Sequence, residues 1–409
     1  MSTEVCIEWR GAPQLVGRLH CEKHGPAVAF EYSAEWLARP DVFAIDATSL
    51  PLQAGPHHAA ALFGGIQDCG PDRWGRVLIE RAVRKRILER KPYRDIDYVL
   101  ALDDAPRIGA LRFRHDTAGP FLSPGAGGFP PLVRLAALMH ATDAIHRETE
   151  TAADLRFLLG AGSPIGGARP KAAVSLEDGR VAIAKFPKAD DVRDIAAGEI
   201  LALTLAQQAG ITVAEHRLVT TAGRSVSVIT RFDRQGAQRI PFLSANSLLG
   251  LRPGEPGAYT QLAEGIRQFG HDVGADLREL WRRLVFSLLA SNFDDHLRNH
   301  GFLMREPGHW ALSPAYDLNP VPEIDRSHTT KTAISENQEP PSVDAALAAA
   351  ARFGLRSAEA RAIVSEILAA VANWRKVARR LHMKAGAIES YATAFENSLT
   401  EEAARFEAL

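Results

Sequence analysis

The run Leu284-Val-Phe-Ser-Leu-Leu-Ala-Ser-Asn-Phe-Asp-Asp-His-Leu-Arg-Asn-His-Gly-Phe-Leu-Met304 constrains this chain more than any other stretch. It continues an apolar face at helical spacing made by Leu277, Leu280, Trp281, Leu284, Val285, Leu288 and Leu289. The helix ends in a dense polar loop, and a short apolar strand leaves that loop. Asn299 stands five residues after Asp294, and Asp317 closes Leu312-Ser-Pro-Ala-Tyr-Asp317, eighteen residues after Asn299. A carboxylate can accept a hydroxyl proton. An amide oxygen and a second carboxylate can hold a hard cation such as magnesium. Few other chemistries need these three groups in this order.

Asp294 and Asp295 are adjacent, so only one can face a given site, and the spacing to Asn299 selects Asp294. Acids that merely capped the end of this helix would sit against the unfavourable end of its dipole. The same Asp-x-x-x-x-Asn spacing serves phosphoryl transfer in kinase catalytic loops, where the Asp takes the acceptor proton and the Asn holds magnesium. His296 reads as a group that orders the loop or touches phosphate. As a zinc site, Asp294, His296 and His300 make a thin set.

Composition excludes several classes. The 409 residues are 46% hydrophobic and 24% charged, with a net charge of -1, an ordinary globular balance with no global pull toward nucleic acid or anionic membrane. Cys6, Cys21 and Cys69 have neither disulfide-framework nor zinc spacing, which points to a reducing, cytoplasmic setting. The N-terminus shows no signal-peptide pattern, and no apolar run approaches the roughly 18 residues of a membrane span.

Along the chain, residues 3–32 alternate as short antiparallel strands with turns at Gly11-Ala12-Pro13 and His24-Gly25-Pro26. Asp72 reads as the N-cap of a helix running to Val83. Gly and Pro mark residues 115–131 as a linker, with a helix from 131. Strands are expected at 171–176, 181–186 and 225–231, and a helix at 194–209 closed by Gly210. From 275 onward the pattern is mostly helical, with about three amphipathic helices over 343–405. This order gives an α+β chain of three units: a β-rich module over 1–120, a small α/β lobe over 121–235, and a helical lobe over 236–409. A two-lobed phosphotransferase fits it.

Three further segments carry chemistry. Gly160-Ala-Gly-Ser-Pro-Ile-Gly-Gly-Ala-Arg-Pro-Lys171 precedes a strand, and its glycines let backbone amides approach phosphate oxygens. Taken alone it reads more readily as a plain loop, and it is no Walker A motif. Lys185 sits on an otherwise apolar strand and needs a counter-charge. Glu199, early in the next helix, can supply it, and a snorkelling lysine is the competing account. Thr230-Arg231-Phe232-Asp233-Arg234 ends a strand at the lobe junction, where backbone groups could read an adenine edge or simply form a turn.

With these residues placed, the chain resembles the HipA family of toxin serine/threonine kinases, relatives of the phosphatidylinositol-kinase-like fold. Gly166-Gly-Ala-Arg-Pro-Lys171 is similar to the family's phosphate loop, and Ala184-Lys-Phe-Pro187 to its nucleotide lysine segment. Arg231-Phe-Asp-Arg234 is similar to its hinge, Asn292 to His300 to its catalytic loop, and Leu312 to Asp317 to its metal segment. Residues 4–32 look like its N-terminal β module, and 64–82 with 106–113 like the segment after it. The resemblance implies Asp294 as proton acceptor and Asn299 and Asp317 as magnesium ligands. It also implies an ATP site drawn from Gly166, Gly167, Ala168, Lys171, Lys185, Thr230, Arg231, Phe232, His296, Asn299, Tyr316 and Asp317, with Glu199 pairing Lys185. The family commonly has a self-phosphorylated serine seven residues before Lys171; here that position is Pro164 and Ser163 is the neighbouring candidate.

The function implied by this resemblance is an ATP- and magnesium-dependent serine/threonine kinase acting on a cytosolic protein, an aminoacyl-tRNA synthetase in some family members. A small helix-turn-helix antitoxin of the HipB kind is the implied partner, with DNA reached only through it. Two other functions stay open: a small-molecule or lipid kinase of the same fold, and a non-catalytic corepressor that binds an antitoxin.

Overall fold

The computed structural model describes residues 2–22, 25–115, 119–122, 128–252, 254–327 and 329–407, apart from 162–166. Five antiparallel strands open the chain: β1 (Ser2–Trp9), β2 (Ala12–Cys21), β3 (Val28–Tyr32), β4 (Pro56–Ala59) and β5 (Leu111–Arg114), in the order β4-β3-β2-β1-β5. The first hairpin turns on Arg10 and Gly11, both at positive φ, and Pro13 lies inside β2 opposite Glu8. Alternating side chains of this sheet bury Val5, Ile7, Leu19 and Phe30 against Trp36 and Phe63.

Helix Arg73–Arg84 begins at Asp72, whose carboxylate accepts from Gly75 N at 2.8 Å. Its Trp74 and Leu78 belong to a second core with Leu138, Leu155, Val174 and Phe186. That core joins it to helices Leu135–His146 and Ala152–Ala161 and to a four-stranded antiparallel sheet. The sheet holds β6 (Lys171–Ser175), β7 (Val181–Lys185), β8 (His216–Thr221) and β9 (Arg224–Thr230), in the order β6-β7-β9-β8. The expected strands at 171–176, 181–186 and 225–231 fall here within a residue. Helix Ile195–Gln208 covers one face, and Gly210 follows it at φ +76°.

The remaining chain is built on helix Val273–Leu289, whose Leu280, Trp281, Leu284 and Leu288 are buried as the spacing predicts. The mostly helical character expected from 275 gives way over 291–342, beginning with the polar loop and short strand also expected there. That stretch holds the antiparallel strands Gly301–Glu306 and His309–Leu312 between loops, and Pro314, Pro320, Pro322, Pro340 and Pro341 deny it the helical hydrogen-bond ladder. The C-terminal stretch divides into more pieces than expected. Val343–Ala349, Ser357–Ala372, Trp374–Arg380 and Ser398–Glu407 are separate helices with shorter ones between 385 and 395. Gly354 at φ +71° closes the first break. Among the described residues no helix is long and apolar enough to cross a membrane.

Candidate active site

Lys185 ends β7, whose preceding residues Ala182, Ile183 and Ala184 are buried. Its ammonium bonds Glu199 of helix Ile195–Gln208 and lies 2.6 Å from Asp317 Oδ1. Ser227 Oγ donates to the other Glu199 oxygen at 2.9 Å. Burial disfavours the charged lysine, but the two carboxylates outweigh it and raise its pKa above the ordinary lysine value. Burial also pushes the Asp317 carboxyl up. The charge and hydrogen bond of Lys185, with Lys171 farther off, hold it well below the usual carboxylate range instead. The three charges picked from sequence thus meet in one cluster.

Asp317 takes φ +57°, a region rare for a residue with a side chain. Asn319 Nδ2 donates to its Oδ1 and to its carbonyl, both at 3.1 Å. Asn319 N in turn donates to Asn292 Oδ1 at 3.0 Å, which ties the segment to the start of the polar loop. Side-chain bonds on both sides therefore hold the strained backbone.

Helix Val273–Leu289 closes with Ser291 at φ +52° and Asn292 N donating to Ser287 O at 2.8 Å. The two adjacent acids then part. Asp294 is exposed and has no hydrogen-bond or ion-pair partner among the described residues. Asp295 is buried, accepts from the Tyr259 hydroxyl, and lies 3.0 Å from His300 Nε2. Asn299 is buried, and its Oδ1 has no hydrogen-bond partner among the described residues; the same holds for His296 Nδ1.

A buried amide oxygen without a partner is costly unless something completes it. A hard cation takes oxygen donors of this kind. Asn299 and Asp317 therefore fit magnesium by donor chemistry. Asn299, His296, Arg298 and Tyr316 line a cavity of about 90 Å³. Lys185, Asp317, Ile183, Ile229 and Phe232 line a second, narrow cavity of about 20 Å³, and Tyr316 borders both. The Phe232 and Tyr316 rings stand 5.2 Å apart on the wall of the second.

Other expected site residues are placed differently. Lys171 is buried, with its ammonium on Asp72 and 3.0 Å from Gly167 O, so it reaches a phosphate only by leaving Asp72. The amides of Thr230 and Arg231 are spent on Glu215 O at 2.7 Å and Val181 O at 2.8 Å. The Arg231 guanidinium is buried against Asp233 and the carbonyls of Pro106 and Arg107. The Thr230 and Arg231 amides are therefore taken, while Thr230, Arg231 and Phe232 all line the cavity. Gly167 and Ala168 are exposed, and a Cβ at Gly167 would meet nothing within 4 Å. Gly166 and Ser163 lie outside the described residues.

Sequence reasoning missed the contribution of the first module. Asp68 and Asp72 line the cavity that holds Asn299. Asp68 accepts from Ser244 N at 2.7 Å and Ser244 Oγ at 2.8 Å, and burial pushes its carboxyl up to about 6. Nothing local in Gln67-Asp68-Cys69-Gly70-Pro71-Asp72 signals contacts to residues more than 90 positions away.

Comparison with known proteins gives the chain a family. A family model described as the HipA-like C-terminal domain matches residues 163–374, just over half of the chain, and one described as the HipA N-terminal domain matches residues 10–113. A Haemophilus influenzae protein provisionally named a kinase is 31% identical over 156 residues, 34% of this chain and 46% of that protein. A Sinorhizobium fredii protein with a similar provisional name is 30% identical over 187 residues, 42% of this chain and 43% of its own length. The chain thus spans less than half the length of these curated relatives. HipA of Shewanella oneidensis, solved with HipB and operator DNA, superposes with a TM-score of 0.70 at 16% identity, over 100% of this chain and 98% of that one. At that identity the likeness speaks for the fold alone, which is the two-lobed, kinase-like arrangement expected from sequence. With its N-terminal and C-terminal domains both matched, the chain belongs to the HipA family.

Proposed function

We propose that this chain is an ATP- and magnesium-dependent serine/threonine protein kinase of the HipA toxin type. The observation that carries this reading is the Lys185 ammonium held between Glu199 and Asp317, together with a buried Asn299 oxygen that has no partner among the described residues and lies on a cavity sharing Tyr316 with that of Lys185. Such a cluster presents one cation toward phosphate oxygens and two oxygen donors toward magnesium. The bound nucleotide, with its metal, supplies the transferable phosphoryl group. Lys185 orients the phosphates, and Glu199 fixes Lys185. Asn299 and Asp317 hold the cation. Asp294, exposed and without a partner among the described residues, accepts the proton of an incoming hydroxyl.

The division into a module over 1–120 and lobes over 121–235 and 236–409 belongs to the same reading, as does Ser163 as a self-phosphorylation site. Family membership supports a HipB-like helix-turn-helix partner, with DNA reached through it, and a cytosolic protein substrate such as an aminoacyl-tRNA synthetase. Calorimetric titration with ATP tests the nucleotide site. Saturable binding that needs magnesium and is lost in Lys185→Ala is the expected result. Binding that ignores both would overturn the assignment.

A further inference from the structure

Glu199 is held in place by more than its lysine. It occupies the second turn of helix Ile195–Gln208, and the first turn of that helix is tied on three sides. Asp194 caps it through Ala197 N at 3.0 Å and takes the Ser225 hydroxyl of β9 at 2.5 Å. Arg193 pairs with Asp325, eight residues beyond Asp317. The Tyr391 hydroxyl, from the far C-terminal region, donates to the Asp194 carbonyl at 3.1 Å. Tyr391 is 1% exposed, and its ring lies against Gly198, the residue before Glu199. A Cβ at position 198 would fall 2.5 Å from Tyr391 Cζ and 3.0 Å from Cε1. A side chain there forces the helix and the ring apart. Glu199 lies one residue along the same rigid helix and moves with it.

Resting on the kinase reading above, we propose that Tyr391, seated against Gly198, is a positioning residue for the Lys185–Glu199 pair. The C-terminal helices would thus set the geometry of the nucleotide lysine from 206 residues away in sequence, with Gly198 as the one backbone position that lets the ring approach. Neither residue touches the cavities that Lys185 and Asn299 line. Their effect passes through the helix alone.

The test titrates the full chain with ATP in the presence of magnesium and records thermal unfolding for each variant. Gly198→Ala is expected to fold and to lose about tenfold or more in ATP affinity. Tyr391→Ala, which removes the ring and its bond to Asp194, is expected to lose about tenfold in ATP affinity as well. A merely structural pair would lower the unfolding temperature in both variants and leave the ATP affinity of the folded protein at the parent's value. Parent-like affinity in either folded variant overturns the proposal. Should Gly198→Ala fail to fold, Tyr391→Phe decides, because it keeps the ring and removes only the bond to Asp194. A loss of about threefold or more in affinity supports the proposal, and an unchanged affinity overturns it. A parent chain that binds no ATP overturns the kinase reading, and this inference falls with it.

Discussion

Lys185 Nζ lies 2.6 Å from Asp317 Oδ1, an ion pair that joins the end of β7 to the segment following the polar loop, 132 residues away in sequence. The same ammonium bonds Glu199, so one buried cation is shared between a buried carboxylate and a half-buried one. Removing one partner of a buried pair typically costs about 3–5 kcal/mol, because the remaining charge stays buried. Lys185→Ala should therefore abolish ATP binding and also lower stability by about that amount in urea unfolding. A variant as stable as the parent would show that the folded state does not need Lys185 beside Glu199 and Asp317.

The neighbouring acids separate catalysis from folding. Asp294→Asn changes an exposed group without partners among the described residues, so stability should hold while phosphoryl transfer falls by about 10²–10⁴-fold, the range of a general base. Asp295→Asn disturbs the bonds from Tyr259 and His300 and should destabilise the fold by about 1–3 kcal/mol. Paired unfolding curves and transfer rates check this. The opposite pattern, with Asp295 setting the rate and Asp294 setting stability, would reverse the assignment.

Much of this arrangement could be read from sequence, for identifiable reasons. Asp294, Asn299 and Asp317 lie on one continuous stretch whose spacing is itself the signal, and Lys185 stands out as a charge on an apolar strand. The ties that stayed hidden join distant segments. Lys171 meets Asp72 across 99 residues, and Arg231 meets Pro106 across 125. Neither contact leaves a periodic or compositional trace, so a lysine after a Gly-rich loop and an arginine at a hinge read as ligand contacts. The β-rich opening was legible because its alternation and turns are local. The breaks in the C-terminal helices were not, since Ala-rich sequence keeps helical character across short turns.

Asn299 gives a test of the metal assignment independent of catalysis. Its Oδ1 is buried and without a partner among the described residues, so Asn299→Ala removes a polar group that contributes little to the fold. Stability without ligand should stay within about 1 kcal/mol of the parent. The magnesium needed for half-maximal ATP binding should rise about tenfold or more, the scale of losing one ligand contact. An unchanged magnesium requirement in this variant and in Asp317→Asn would remove both residues from the metal site.

At the junction of the modules, Asp233 is fully buried between Arg231 and Arg234 and accepts from Gly109 N at 2.8 Å. Burial pushes its carboxyl up, but the two guanidinium groups hold it well below the ordinary range. The folded pKa thus lies below the unfolded value of about 3.9, so the stabilisation is full above that pH and declines as pH falls toward the folded value. Asp233→Asn should cost about 3–5 kcal/mol near neutrality. Urea unfolding should show that difference constant from about pH 8 to about pH 5 and shrinking only below roughly pH 4. A difference that shrinks already above about pH 5 would contradict a depressed carboxyl.

The central claim is that Asp294 takes the proton from a hydroxyl as phosphate is transferred beside the Lys185, Glu199 and Asp317 cluster. The most direct measurement incubates the purified chain with ATP and magnesium and locates any added phosphate by mass spectrometry, alongside Asp294→Asn. The account predicts phosphate on a serine or threonine, Ser163 being the candidate within the Gly-rich loop, in the parent and none in Asp294→Asn under equal ATP binding. Equal phosphorylation of the two proteins, or none in a parent that binds magnesium and ATP and is offered protein acceptors, would contradict it.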